Sequence, residues 1–189
     1  MSFVLAASSL LALAQPAAVP PPIEQTSADC ARPTYASDML VCEDSELKAR
    51  DAELAALVSS TPLAGAALME SDTEWFKRRT RCAFAAEHRA CLAAAYAGRL
   101  TLRRILAAPP TEGQPATCKS AKGTQEVTLA VLAEGTRLVI RDRATGAALG
   151  VAPPPVAKDA PWQSFASFTR KGERVTITTL GGESWVCRS

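Results

Sequence analysis

Six cysteines constrain this 189-residue chain more than any other feature of its sequence. They form an even set, Cys30, Cys42, Cys82, Cys91, Cys118 and Cys187. No two of them are spaced as Cys-x-x-Cys and the chain has one histidine, His88, so we expect no metal site. In an oxidising compartment such a set indicates a disulfide framework, although the sequence alone leaves the pairing open.

The N-terminal segment predicts that compartment. Residues 3–14 read FVLAASSLLALA, an uncharged apolar run that ends in the small-x-small pattern of a signal peptidase site. The run is too short to span a bilayer, and the prolines that follow it would break a helix of the mature fold. We therefore expect a signal peptide over residues 1–14, a Pro-rich linker over residues 15–27, and a soluble periplasmic or secreted protein without a membrane span.

Two details qualify this expectation. No basic residue precedes the apolar run, so either the amino terminus alone supplies the positive charge or the natural start lies further upstream. Cys30 follows Asp29 and lies well past the apolar run, which does not fit a lipid-attachment site. We therefore do not expect a lipid anchor.

Composition divides the remaining chain into two modules. Residues 28–107 are rich in Ala, Leu, Arg and Glu, which favours helices. Residues 108–117 read APPTEGQPAT, which is typical of a linker. Residues 118–189 alternate β-branched and polar residues between glycine-containing turns. We predict an α+β protein, in which a disulfide-bonded small helical domain precedes a small antiparallel β-barrel or meander of six strands.

Local patterns place the elements. We expect one helix from a cap at Asp44 or Ser45 to about Ser59, a second that begins at Pro62 and continues through Trp75 and Phe76, and a third over about 89–106. Within the β module, alternation predicts strands at 127–131, 138–140, 162–169, 175–177 and 184–187, with a further strand near Cys118.

The residue types that catalysis needs are poorly represented. One histidine cannot easily support a nucleophilic triad, and neither a G-x-S-x-G sequence nor a phosphate-binding glycine loop occurs. Glu70 and Glu74 share a helix face that we expect to point to solvent, so they are a weak candidate for a catalytic pair. We expect no enzymatic activity, no catalytic residues and no cofactor.

The charge balance limits the choice of partner. The formal net charge is +2, which does not favour nucleic acid or an anionic membrane. A basic run over 77–81, together with Arg99, Arg103 and Arg104, suggests an acidic polymer as a ligand. However, the helical module carries eleven basic and eleven acidic residues, which favours a mixed, solvated face instead. We expect a protein partner.

A spaced set of residues in the helical module resembles a known family. The set comprises the first four cysteines, which are Cys30, Cys42, Cys82 and Cys91, together with Asp44, Leu47, Asp51, Leu54, Trp75, Arg79, Leu92, Tyr96 and Arg99. Its most specific parts are the motifs Trp-x3-Arg-x2-Cys and Cys-Leu-x3-Tyr-x2-Arg. Through both motifs the module resembles the LprI-like N-terminal domain of exported bacterial proteins, which is named for a lysozyme inhibitor.

These residues also make physical sense by themselves. Trp75 and Arg79 lie one helical turn apart, so Arg79 is able to pack along the indole or reach a carboxylate. Tyr96 and Arg99 form a similar pair, and Asp51 is the partner we expect for Arg79 or Arg99. We expect most of these contacts to hold the fold together rather than to bind a ligand.

The β module resembles the C-type lysozyme inhibitor (MliC-like) fold, a small barrel closed by a disulfide between its first and last strands. Cys118 and Cys187 fit that closure, and Thr169-Arg170-Lys171-Gly172-Glu173 resembles the family's Lys-Gly turn. In that family a serine and a lysine enter the lysozyme cleft. The resemblance implies Lys171 as the lysine and Ser164 or Ser167 as the serine, with the lysine ammonium lying between two catalytic carboxylates.

Two functions follow as competing hypotheses. The first is an inhibitor of lysozyme-type glycosidases that protects the cell wall, and the second is an envelope binding or assembly module without inhibitory activity. Residues 108–189 carry ten basic and seven acidic residues, so binding to a basic lysozyme would depend on local fit. Because each pair is local or closes a single module, we favour the disulfides Cys30–Cys42, Cys82–Cys91 and Cys118–Cys187, none of which joins the modules.

Overall fold

A computed structural model describes residues 25–60, 63, 66–132 and 135–188. The helices are α1 (Ala36–Glu43), α2 (Ser45–Ser60), α3 (Asp72–Thr80) and α4 (His88–Ala107), with a turn of 3-10 helix at Arg81–Phe84. The strands are β1 (Gln114–Ser120), β2 (Gly123–Leu132), β3 (Arg137–Asp142), β4 (Ala148–Ala152), β5 (Ala166–Lys171), β6 (Arg174–Thr179) and β7 (Ser184–Arg188). The predicted α+β architecture of two modules is confirmed. The predicted signal peptide and residues 15–24 of the predicted linker lie outside the described residues.

Side-chain caps set two of the helix starts. The Asp44 carboxylate accepts hydrogen bonds from the backbone N–H groups of Glu46 and Leu47, each at 3.0 Å, and α2 begins there as predicted. Ser71 Oγ accepts a hydrogen bond from the N–H of Glu74 at 3.1 Å, which starts α3. Helix α1 was not expected from the sequence, because its eight residues carry only a weak apolar periodicity.

The prediction of a helix that begins at Pro62 is wrong for residues 66–70, which precede α3. Pro62 itself lies outside the described residues, and residues 66–70 form a tight turn closed by a bond from the N–H of Met69 to the carbonyl of Ala66. The backbone N–H of Leu68 instead donates to the carbonyl of Leu149 in the β module at 3.1 Å. A tertiary contact therefore outweighs the local helical pattern.

The β module is one antiparallel sheet of seven strands in the order β4-β3-β2-β1-β7-β6-β5. The sheet curls into a nearly closed barrel, in which the N–H of Phe168 in β5 donates to the carbonyl of Pro153, just past β4, at 2.9 Å. Six strands were predicted. Strand β4 was missed because its sequence, ALGVA, lacks alternating polar residues, and β5 begins at Ala166 rather than at Trp162. Strand β1 begins at Gln114, inside the predicted 108–117 linker.

Three disulfides cross-link the chain, and each lies within a single module. Cys30–Cys42 and Cys82–Cys91 close short loops in the helical module, and Cys118–Cys187 joins register partners in β1 and β7. These are the pairs that the sequence favours, and they are consistent with an oxidising, extracytoplasmic compartment. Within the described ranges, none of the helices combines the length and apolar character that crossing a membrane requires.

The two modules interlock without a disulfide between them. Leu68 from the helical module packs into the barrel core, and Trp162 from the β4–β5 connection packs against the helical core. Leu102, Ile105 and Leu106 of α4 cover the outer faces of β2, β3 and β4. By this reciprocal insertion each module contributes apolar side chains to the seam between them.

Candidate functional site

The residues that carry the helical-module resemblance lie mainly inside the module. All except Asp44, which caps α2 and is half-buried, are buried: Leu47, Asp51, Leu54, Trp75, Arg79, Leu92, Tyr96 and Arg99. The rings of Trp75 and Tyr96 meet edge to face, with centroids 5.4 Å apart. Their contacts hold three helices together and leave little of this set accessible to a ligand.

Arg79 forms a fully buried ion pair, but its partner is Asp38 rather than the predicted Asp51. The distance from Arg79 Nη2 to Asp38 Oδ1 is 2.7 Å, and both side chains have no exposed surface. The guanidinium also lies 4.1 Å from the ring centroid of Phe76. Asp38 belongs to α1, the helix that the sequence did not predict, so its role could not be read from spacing.

Asp51 binds neutral donors instead. Its carboxylate accepts hydrogen bonds from the Tyr96 hydroxyl at 2.7 Å and from the backbone N–H of Ala28 at 3.1 Å. Burial raises the pKa of Asp51 despite these bonds, and burial likewise raises the pKa of the Tyr96 hydroxyl well above its usual value. This pair anchors the chain before α1 to the centre of the module.

Arg99 was the alternative partner predicted for Asp51, and it pairs with Asp72 instead. Arg99 Nη2 lies 2.7 Å from Asp72 Oδ1, while both terminal nitrogens of Arg99 donate to the carbonyl of Glu70 at 3.2 Å. Arg103 donates to the same Asp72 carboxylate. Burial is the main cause that lowers the pKa of Arg99, and the Asp72 charge opposes it.

The remaining candidates of the helical module are engaged in local contacts. Glu70 is buried against Arg78, with Arg78 Nε 2.9 Å from Glu70 Oε2, so the prediction that it faces solvent is wrong. Glu74 is exposed and pairs with Lys77. His88 Nε2 lies 3.2 Å from the Ser37 hydroxyl, and burial together with the charge of Arg79 lowers the His88 pKa. Glu70 and Glu74 therefore do not converge on one reacting site.

The predicted contact residues of the β module lie on two different surfaces. Lys171 is the exposed last residue of β5 and precedes a two-residue turn, in which Gly172 has a φ of 61°. Ser167 lies on the same face of β5, about 13 Å away along the strand. Ser164 precedes β5 and lines a cavity between the modules. The structure therefore brings Ser167, and not Ser164, onto the face that carries Lys171.

Strand register places two further cations beside Lys171. Lys171 is opposite Arg174, and Arg174 is opposite Arg188 on the next strand, so three exposed cations form a row across β5, β6 and β7. Neighbouring strands lie about 5 Å apart, which puts like charges side by side, an unfavourable arrangement in the isolated protein. We call these three residues the cation row. Arg174 and Arg188 were not predicted from the sequence, because only the pairing register brings them beside Lys171.

The cation row has no acidic partner among the residues that the structure describes. Beyond Arg188, the same line of register partners runs through Thr117 in β1 to Glu126 in β2. The Glu126 carboxylate, however, accepts a hydrogen bond from the Thr117 hydroxyl at 2.8 Å and pairs with Arg143. Glu173, in the turn next to Lys171, is exposed and forms no ion pair with the row.

Hydroxyl groups make up most of the rest of this face, which also carries Val186 and the exposed Lys119. The next row holds Thr169, Thr176, Val186 and Lys119, and the third holds Ser167, Thr178 and Ser184. The face thus combines the cation row, whose charges have no acidic partner, with many short polar side chains. Such a surface is suited to an anionic partner rather than to an apolar one.

Comparison with known proteins adds no family to this description. No protein-family model matches the chain, and no curated protein matches it. The two resemblances therefore rest on their motif residues alone, and the function that they imply is a proposal.

Proposed function

We propose that this protein is an exported inhibitor of lysozyme-type glycosidases, which acts by binding and without chemistry of its own. The observation that carries the proposal is Lys171: an exposed ammonium without an ion pair, at the end of a hairpin and beside two further cations. Glycosidases of this class keep two carboxyl groups on either side of the scissile bond. A lysine that enters such a cleft forms charge-assisted hydrogen bonds with the groups that catalysis needs.

The hairpin that carries Lys171 is well supported. Strand β6 pairs with β7, and Val175, one residue after Arg174, is opposite Cys187. Cys187 is in turn bonded to Cys118 in β1. A recognition element fixed in this way loses little backbone entropy when it binds, so more of the interaction energy contributes to affinity.

The serine that accompanies the lysine in this proposal is Ser167. Its position about 13 Å from Lys171 is too far for both side chains to reach one carboxylate, so Ser167 would contact a separate part of the partner's cleft. Ser164 is not part of the proposed contact surface, because it lines the seam between the modules.

The proposal is tested by measuring the turnover of several lysozyme types in the presence of the purified mature protein. We expect inhibition of at least one type, and we expect Lys171→Ala to raise the inhibition constant by about 30-fold or more, which corresponds to ~2 kcal/mol. Lys48→Ala is the matched control, since Lys48 is an exposed lysine of α2 on the other module. Absence of inhibition of every type at micromolar excess would reject the proposal.

A second candidate function is an envelope binding or assembly module that does not inhibit any enzyme. It is favoured by the cation row itself, because three adjacent cations attract an anionic surface whether or not that surface contains a cleft. Capture experiments from an envelope extract separate the two functions. Recovery of a wall or secretion component through the cation row, with no glycosidase bound, would support this second function.

A further inference from the structure

Two of the three residues in the cation row lie where the sheet itself gives no reason for a charge. Charged side chains commonly protect a free sheet edge from pairing with another chain. This explanation fits Lys171, because β5 is a terminal strand of the sheet. It does not fit Arg174 or Arg188, since β6 and β7 are paired on both sides. The two arginines therefore need another explanation.

Arg174 has the least favourable position of the three. Its register partner on one side is Lys171 and on the other side is Arg188, so a cation lies beside it on each neighbouring strand. Like charges on directly opposite residues destabilise a sheet. Lys119 in β1, which is opposite Val186 in the next row, adds a further exposed cation. The free protein therefore keeps these charges together at a cost to its stability.

The side-chain chemistry of the row indicates the anion that it fits. A guanidinium presents its N–H donors in a planar fork that matches the two oxygens of a carboxylate. Arg174 and Arg188 lie on neighbouring strands about 5 Å apart, so the two forks are able to bind two carboxylates of one surface. The hydroxyl groups of Thr169 and Thr176, in the next row, add donors and acceptors of the kind found at the polar rim of a protein interface.

We propose that Arg174 and Arg188 dock on acidic residues at the rim of the glycosidase cleft, and thereby select lysozymes whose rim is acidic. This inference rests on the proposed inhibitory function and adds a partner of stated charge. When Lys171 occupies the cleft, the two arginines lie about 5 and 10 Å further across the sheet, beyond the catalytic carboxylates. Carboxylates at the rim offset charges that repel one another in the free protein, whereas a basic rim adds repulsion.

Inhibition constants for two enzymes test the selectivity, one lysozyme with an acidic cleft rim and one with a basic rim. We expect the mature wild-type protein to inhibit the acidic-rimmed enzyme at least tenfold more tightly. Arg174→Gln and Arg188→Gln should each weaken that inhibition by about tenfold and should not weaken inhibition of the basic-rimmed enzyme. Lys158→Gln is the matched control, because it removes an exposed cation from the β4–β5 connection of the same module and changes the net charge equally.

Association kinetics separate docking at the rim from entry into the cleft. Charges at a rim accelerate encounter, so both arginine variants should lower the association rate constant and flatten its decrease with ionic strength. Lys171→Ala should act mainly on the dissociation rate constant, because its ammonium is desolvated in the complex. Surface plasmon resonance with the immobilised acidic-rimmed enzyme measures both rate constants.

The melting temperature of the free protein gives a readout of opposite sign. Arg174→Gln removes the central charge of the row, so it should raise the melting temperature by about 1–3 °C at low ionic strength while it weakens inhibition. Lys158→Gln should leave the melting temperature unchanged. A lower melting temperature for Arg174→Gln would assign this side chain to the stability of the fold and would overturn the proposal.

Failure of this inference and failure of the proposed function give different results. If the wild-type protein inhibits neither enzyme, both are rejected. If it inhibits the two enzymes equally, or if both arginine variants behave like Lys158→Gln, the selectivity is overturned and the inhibitory function stands. Tighter binding of polyphosphate than of the acidic-rimmed enzyme, lost in Arg174→Gln, would assign the row to an anionic polymer and would also overturn the proposal.

Discussion

The two modules of this protein are stabilised in different ways. The helical module buries charge at its centre, including the pair between Arg79 and Asp38 and the pair between Arg99 and Asp72. The barrel core consists almost entirely of apolar side chains, with Val127, Leu138 and Ile177 fully buried. One module thus depends on specific polar partners, and the other on packing and on alternation along its strands.

The contrast shows where each module tolerates change. An apolar core accepts substitutions that conserve volume, because its contacts are not directional. A buried ion pair does not, since removing one partner leaves a charge in a medium that solvates it poorly. We therefore expect the helical module to be the more sensitive to single substitutions of polar residues, and the barrel to be sensitive mainly to changes of volume and cross-linking.

The largest expected effect is the loss of one partner of the fully buried pair. Arg79→Met leaves the Asp38 carboxylate buried without a cation, which should lower the free energy of unfolding by ~3–5 kcal/mol. The double variant Arg79→Met/Asp38→Leu should recover most of that loss. Ile177→Ala in the barrel, expected to cost ~2–5 kcal/mol through a cavity, is the comparison. Urea unfolding measures all three variants, and a double variant no more stable than the single one would contradict the interpretation.

The disulfides sharpen the comparison, since their loops differ in length. Cys118–Cys187 spans 69 residues and Cys82–Cys91 spans 9. If each bond acts mainly by restricting the unfolded chain, its replacement by two alanines should cost about 4 kcal/mol for the long loop and about 3 kcal/mol for the short one. Guanidinium chloride unfolding of the two double variants gives the difference. Equal costs would show that native-state packing around the bonds decides their contribution.

The interlock between the modules rests on a close approach at Gly150. A Cβ at this position would lie 2.6 Å from the Cβ of Leu68 and 3.1 Å from its carbonyl oxygen. Gly150→Ala should therefore lower the free energy of unfolding by ~1–3 kcal/mol, because backbone atoms must move. Gly98→Ala is the matched control and should stabilise α4 by up to ~1 kcal/mol. Thermal unfolding tests the pair, and equal melting temperatures would argue against a tight seam.

The smallest effect concerns a surface network of the helical module. Arg89 binds Asp44 and Glu46, and its hydrogen bonds are the largest cause that lowers the pKa of each carboxyl group. A lowered folded-state pKa means that the unfolded chain binds protons first, so this contribution is present at neutral pH and is lost on acidification.

Arg89→Ala should therefore reduce stability slightly at neutral pH and reduce the acid-dependent loss below about pH 4.5. Stability profiles against pH at low and high salt measure the effect, which added salt should diminish. Arg32→Ala, which removes an exposed cation 3.6 Å from Asp29, is the control. An unchanged profile for Arg89→Ala would show that solvent screens the network completely.

Local patterns predicted those parts of the fold that depend on neighbours in sequence. The cap at Asp44, the extent of α2 and α4, and the alternating strands β2, β3, β6 and β7 all follow from spacing over one or two turns. Strand β4 did not follow, because its sequence lacks alternating polar residues, and the turn at 66–70 did not follow, because a contact with the distant Leu149 stabilises it. The same reason explains why Asp51 was assigned as a partner of Arg79, whose actual partner Asp38 lies 41 positions earlier.

The sequence by itself determined that this chain would form two small modules. Composition separates them, alternation of apolar and polar residues indicates the strands, and the even set of cysteines is suited to disulfides. Only the tertiary structure decided which carboxylate each buried arginine meets, which cations share the outer face of the barrel, and which side chains interlock at the seam. These features depend on strand register and on helix packing, which bring together residues far apart in the chain, and no local pattern encodes such distances.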